Sequence, residues 1–198
     1  MEMQEERYSK TAYFFAAALA IIVAGGAYYG YNLRAHARAE VKSHITTWFE
    51  GPRLMTELMM ERYGPPDDLT AAVATWYERG GWKRITVRGE AHESYLEQTV
   101  GYRPRPEAIA SLRAFDHGVR LDPAREELTA ASNQESLNFL ALNVANEVAS
   151  GKRTARDAQE FFLKTAKLGS SGRSSPYLEK LQFEPYLRAP QRSREIGF

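Results

Sequence analysis

Apolar positions are concentrated at the start of the chain and are spaced periodically further on. From Thr11 to Leu33 no charged side chain interrupts the run, whereas Glu, Arg and Lys crowd both flanks. At about 1.5 Å per helical residue such a run reaches the ~30 Å of a hydrocarbon core, and a soluble helix has no reason to be apolar all round. The pattern therefore predicts one membrane-spanning helix over 11–33, behind a polar tail over 1–10. Tyr13, Phe14 and Phe15 at one end and Tyr28, Tyr29 and Tyr31 at the other suit the headgroup level on both sides. Small residues recur at Ala12, Ala16, Ala20 and Ala24, and Gly26 with Gly30 forms a GxxxG pair. Ala16, Ala20, Gly26 and Gly30 are thus the expected helix-packing positions, where another backbone can approach closely.

Beyond the run, 34–51 contains good helix formers without a breaker until Gly51-Pro52, so a stalk helix or linker is expected there. Leu54, Met55, Leu58 and Met59 fall at helical spacing ahead of Gly64-Pro65-Pro66, which predicts a short helix ending near Tyr63. Its methionines read as core filler. The stretch AVATWYERGGWKRITVR places two aromatic and β-branched runs either side of Gly80-Gly81 and predicts a β-hairpin, with Trp76 and Trp82 as a cross-strand pair. Further strands are expected across Tyr95 to Tyr102, near Val119 to Leu121 and over Glu127 to Ala130, with a helix from Pro106 through Leu112.

The longest periodic segment in this part runs from Asn133 to Ser150. Ser132 is its expected N-cap, Glu135 completes a capping box, and Leu137, Leu140, Ala141, Val144, Ala145 and Val148 form its buried stripe. Gly151 ends it, and Thr154 caps a following helix with Ala158, Phe161, Phe162 and Ala166 on one face. The fold class is α+β: a transmembrane helix, then a domain over 52–167 in which a small sheet carries an αα-hairpin. From 168 to 198 Ser, Gly, Pro and Arg dominate, and such composition builds no core by itself. Tyr177, Leu181, Phe183, Tyr186 and Phe198 are the anchors of an extended strap, which docks on a partner or on its own domain.

Composition narrows the functions. Lys plus Arg number 26 against 25 for Asp plus Glu, so no broad basic face marks a nucleic-acid binder. Cysteine is absent, which removes disulfides, thiolate metal sites and thiol catalysis. A cleavable signal peptide is disfavoured despite Ala-x-Ala at Ala16 to Ala18, because the leader holds three Glu against Arg7 and Lys10 and the apolar run is too long for an h-region. Arg7 and Lys10 before the span nearly balance Arg34, Arg38 and Lys42 after it, so flanking charge leaves orientation open.

No catalytic constellation stands out. His36 and His44 are too far apart to share a metal on one helix, and His92 and His117 lack local ligand partners. Gly80-Gly81 lies in a hairpin turn, so it is no phosphate loop, and Ser132, Ser136 and Ser150 lack a nucleophile elbow. No cofactor or metal motif is present; lipid or pigment would be met only peripherally.

Arg62-Tyr63-Gly64-Pro65-Pro66-Asp67, Thr75-Trp76-Tyr77, Gly81-Trp82-Lys83-Arg84, Phe115-Asp116, Leu140 to Ala145 and Gly151-Lys152-Arg153-Thr154 occur in that order. Over about 55–166 this series resembles a family of uncharacterised bacterial exported or membrane-anchored proteins. The resemblance implies a domain on the periplasmic side of the bacterial inner membrane; the retained span and the long tail depart from the pattern. Together with the packing helix and the strap, the chain also resembles single-span accessory subunits of bacterial photosynthetic reaction-centre and light-harvesting complexes of the double-ring type. No His lies within 11–33 to ligate a bacteriochlorophyll, which suits a brace better than an antenna.

The expected function is a non-catalytic structural subunit whose partners are other transmembrane subunits and membrane lipid. The alternative is a stand-alone periplasmic binding module for a small ligand or an envelope polymer, with an aromatic pocket around Trp76, Trp82 and Tyr102. A third reading, an anchored hydrolase, requires His92 or His117 to meet a carboxylate and a nucleophile in one cleft.

Overall fold

A computed structural model describes residues 35–115 and 117–186, together with Asn32. The expected span, with Ala16, Ala20, Gly26 and Gly30, lies outside the described residues, as does Phe198. Among the described residues no helix is long and apolar enough to cross a membrane. The chain divides into two compact units, 1–44 and 45–198. In the first, the described residues form a helix across 35–44. The helix of the stalk or linker expected over 34–51 stops there, and a 3-10 turn over Ile45–Thr47 opens the second unit.

The second unit is α+β. Helix α1 spans Glu50–Tyr63 and begins ahead of Pro52, whose missing N–H falls in the first turn, where no intrahelical partner exists anyway. Its buried face is Pro52, Met55, Thr56, Met59 and Met60. Leu54 and Leu58, expected inside from their spacing, are exposed instead. The helix is rotated so that the flexible methionines fill the uneven space over the sheet.

Six strands follow: β1 Asp68–Leu69, β2 Val73–Arg79, β3 Trp82–Arg88, β4 Leu96–Gly101, β5 Val119–Asp122 and β6 Glu127–Ser132. They form one antiparallel sheet in the order β1-β2-β3-β4-β6-β5. Gly80 and Gly81, both at positive φ (58° and 87°), close the β2–β3 hairpin in the two-residue turn that matches strand twist. Trp76 pairs with Ile85 and Trp82 with Arg79, so the expected Trp–Trp cross-strand pair does not form. Glu78 sits at φ 50° just before the turn and breaks the alternation, which carries Trp82 round to the helix side.

On that side Ala74, Trp76, Ile85, Val87, Leu96, Gln98, Val100, Leu128 and Ala130 are fully buried. The opposite face is polar: Thr99 and Thr129 share a hydrogen bond of 2.9 Å, and Glu127 pairs with Lys83 and Arg84. One face supplies the apolar core and the other is polar, with Thr99, Thr129 and Glu127 themselves buried on it.

Helix α2 (Ala108–Ala114) leads into β5, and α3 (Glu135–Ala149) lies over β4 and β6. Helices α4 (Ala155–Ser170) and α5 (Pro176–Glu179) cover its far side. Sandwiched in this way, α3 buries more than a stripe: Asn138, Phe139, Leu142 and Asn143 are buried as well as Leu140, Ala141, Val144, Ala145 and Val148. Thr154 caps α4 as expected, accepting from the Asp157 N–H at 3.1 Å. The capping box at the start of α3 does not form. Gln134 occupies the cap position without a side-chain bond to a helix backbone N–H, and the Ser132 hydroxyl is tied to the Gln134 backbone. Glu135 turns inward.

Candidate functional site

Glu135 is the first residue of α3 and only 6% exposed. A carboxylate so placed is favoured by the helix N-terminus but needs donors to offset its lost hydration. Four side chains supply them. Its Oε1 accepts from the Tyr63 hydroxyl at 2.6 Å, from Gln98 Nε2 at 2.6 Å and from Trp82 Nε1 at 3.2 Å, while Oε2 pairs with Arg62. Helix α1 delivers Arg62 and Tyr63, the hairpin delivers Trp82 and strand β4 delivers Gln98. Burial, reinforced by the bond to Glu135 and its charge, pushes the Tyr63 hydroxyl far above its ordinary pKa. Tyr63 therefore stays a donor across the physiological range.

The polar line continues from Gln98. Its Oε1 accepts from Asn138 Nδ2 at 3.0 Å, and the same Nδ2 lies 3.3 Å from the Leu96 carbonyl. Arg62, Glu135, Gln98 and Asn138 thus run between sheet and helices, and each end of the line borders a concavity. At the Arg62 end is a groove of about 700 Å³ lined by Tyr63, Gly80, Gly81, Phe139 and Leu181. At the Asn138 end is a cavity of about 580 Å³ lined by Glu93, Ser94, His117, Ser132 and Phe162.

The aromatic pocket expected around Trp76, Trp82 and Tyr102 is absent because all three rings belong to the core. Trp76 donates to the Gly64 carbonyl at 2.8 Å, and Trp82 stacks on Phe139 with ring centroids 5.1 Å apart. Tyr102 donates to Asn146 at 3.0 Å, and burial raises its hydroxyl to about 12. His117 lines one cleft with Glu93, Ser94 and Ser132. Its ring lies flat on Phe162, 4.4 Å between centroids, and the Ser132 hydroxyl in that cleft already donates to the Gln134 carbonyl at 2.7 Å. His92 is exposed and accepts from the Ser94 N–H. Among the described residues no group of His, Asp and Glu has the arrangement of a metal site.

The strap folds back on its own domain as far as Tyr186. Asn143 holds it from α3, donating to the Tyr177 and Lys180 carbonyls and accepting from the Gln182 N–H at 2.7 Å. Tyr177 donates to Glu147 at 2.6 Å and packs edge-on against Phe161. Phe183 meets Tyr102 edge-on, Leu181 lines the groove, and the Tyr186 N–H donates to the Gly101 carbonyl at 2.8 Å.

No family model matches the chain. No curated protein and no solved structure matches it either.

Sequence reasoning missed Glu135, Gln98, Asn138 and Asn143 as interior polar residues. A signal was available: α3 is apolar all round except at Glu135, Ser136, Asn138, Asn143, Asn146 and Glu147, and polar side chains in a largely buried helix need partners.

Proposed function

We propose that the chain is a non-catalytic, membrane-tethered accessory subunit of a larger membrane assembly, and that its domain supplies contact surface to it. The observation that carries this reading is a pair of apolar side chains left outside the core. Leu54 and Leu58, one turn apart on α1, are 55% and 49% exposed, Leu54 lies opposite the buried face of the helix, and Phe49 just ahead of the helix is 60% exposed. Single exposed leucines are ordinary, but a pair one turn apart on the outer face of one helix, with an exposed aromatic just ahead of it, is what a helix-in-groove contact uses. The apolar surface of a neighbouring membrane subunit is the occupant that this pair fits.

The anchor in this reading is the run 11–33, with Ala16, Ala20, Gly26 and Gly30 as its packing face, and the domain stands on the periplasmic side of a bacterial inner membrane. These parts rest on the sequence. The narrower proposal, a photosynthetic reaction-centre and light-harvesting assembly, rests on the sequence resemblance alone and requires that pigmented subunits travel with the chain.

The test is purification of the full-length tagged protein in mild detergent, as wild type and with Leu54→Glu plus Leu58→Glu. Membrane subunits should co-purify with the wild type and fall away from the variant, while the thermal transition of the domain stays unchanged. A wild-type chain that emerges without partners, or a variant that keeps them in full ratio, overturns the reading.

A further inference from the structure

We propose that the groove at the Arg62 end of the polar line binds a small organic anion, a carboxylate or phosphate carried on a flat apolar body. Among the described residues its wall holds three cations, Arg62, Arg79 and Lys180, against one carboxylate, Glu179. All three cations are within reach of a ligand. The Arg62 and Arg79 side chains are 52% and 43% exposed, and Lys180 is exposed as well. The two arginines are also held in place. Arg62 gives one N–H to Glu135, and its guanidinium carbon lies 5.8 Å from the centre of the Tyr63 ring and 6.0 Å from that of Phe139. Arg79 is tied through one terminal nitrogen to Asp67 at 2.5 Å. A guanidinium has five N–H donors and no acceptor, so each arginine keeps donors that no group among the described residues takes up.

The elements that deliver the arginines touch each other. A Cβ on Gly80 would stand 2.6 Å from the Tyr63 ring, so the tip of the hairpin is seated against the end of α1. A surface arginine ordinarily loses rotamer freedom when it closes on a ligand; here Glu135 and Asp67 have restrained both side chains beforehand, and such preorganisation raises affinity. The same two carboxylates neutralise part of the charge. Recognition therefore rests on directed, charge-assisted N–H groups, which suit the paired oxygens of a carboxylate or phosphate. Lys180 forms no ion pair among the described residues and adds charge that nothing offsets, while Glu179 is occupied by the Ser174 hydroxyl. Tyr63, Phe139, Leu181 and Pro185 supply apolar wall for a ring. The volume of about 700 Å³ lies within the range of small-molecule sites. A cation in the same place would meet three like charges, so cations are refused.

This site is independent of the accessory-subunit reading. Its test is isothermal titration calorimetry of the full-length protein in detergent with phenyl phosphate and benzoate, and with benzylammonium chloride as the charge-reversed control. The two anions tell a phosphate ligand from a carboxylate one, and the tighter should bind at least ~10-fold better than benzylammonium. Arg62→Gln should weaken that anion about 10-fold, and Arg79→Gln at the exposed hairpin tip about 5-fold. Arg62→Lys supplies the sharper test. It keeps the charge without the planar fork, so it should lose nearly as much as Arg62→Gln, whereas a site that felt charge alone would hold wild-type affinity. Thermal transitions of the variants show which are folded, and Arg79→Gln decides the matter if a change at Arg62 disturbs the domain. No binding of either anion, equal affinity for benzylammonium, or wild-type affinity in a folded Arg62→Gln, Arg62→Lys or Arg79→Gln protein would each overturn the proposal.

Discussion

Replacing Glu135 by Ala should be among the most damaging single changes in the domain, and the size of the loss follows from its four donors. Arg62 is 52% exposed on its side chain and can turn to water, so its release costs little. Trp82 Nε1 keeps the Tyr63 hydroxyl at 3.1 Å as a second acceptor. Gln98 has no such recourse: it is fully buried, and its Nε2 would be stranded at a cost of about 1–3 kcal/mol. The lost charge-assisted bonds and the void left by the side chain bring the total to roughly 4 kcal/mol. Glu135→Gln keeps the volume and one acceptor oxygen, and faces only Arg62 with a mismatched amide, so about 1.5 kcal/mol is expected. At about 2–4 °C per kcal/mol for a domain of this size, the Ala variant should melt roughly 10 °C below wild type and the Gln variant about 4 °C below. Tryptophan fluorescence reports the transition directly, because Trp76 and Trp82 are buried beside the site. An Ala variant that melts within about 3 °C of wild type, or that coincides with the Gln variant, would show that the interior does not depend on this carboxylate.

The strap should be separable from the core. A Cβ on Gly101 would stand 1.8 Å from the Tyr186 carbonyl oxygen, and Asn143→Ala removes three bonds to 177–182, so Gly101→Ala and Asn143→Ala should each speed tryptic cleavage at Lys180 by about 10-fold or more while β-sheet circular dichroism persists. Acid should loosen the same seat. Burial raises the Glu147 carboxyl, but the Tyr177 hydroxyl and Arg153 outweigh it and hold the group below its ordinary value. A depressed folded pKa gives stabilisation that is present above the unfolded value of about 4.3 and lost as pH falls through the folded one. Cleavage at Lys180 by a protease active in acid should therefore rise below about pH 4, and Glu147→Gln should flatten that rise.

Much of the sheet was legible in the sequence because its cues are local. Gly80-Gly81 between β-branched runs is sufficient for the hairpin, and alternation marks β4 and β6. What was not legible depends on partners distant in sequence. Glu135 satisfies the spacing of a capping box, yet Arg62, Tyr63, Trp82 and Gln98 together outbid a single backbone N–H. Leu54 and Leu58 have core spacing, but the neighbouring Met59 and Met60 fill the space over the sheet better. The two tryptophans flank a turn, and only the register with the positive φ at Glu78 reveals that they go to different neighbours. The strap has no periodicity to read, because Asn143 binds its backbone more than its side chains.

The contact between Gly101 and Tyr186 also bears on the order in which the domain is made. Strand β4 lies inside the sheet between β3 and β6, and its last residue binds a segment synthesised after every element it closes. A chain growing at about 5–20 residues per second must hold the Tyr102 ring and the Gly101 carbonyl uncovered until that segment arrives. During this interval the nascent domain is open to chaperones, and a product that stops short of Phe183 would keep an apolar mark by which quality control could tell it from the finished protein.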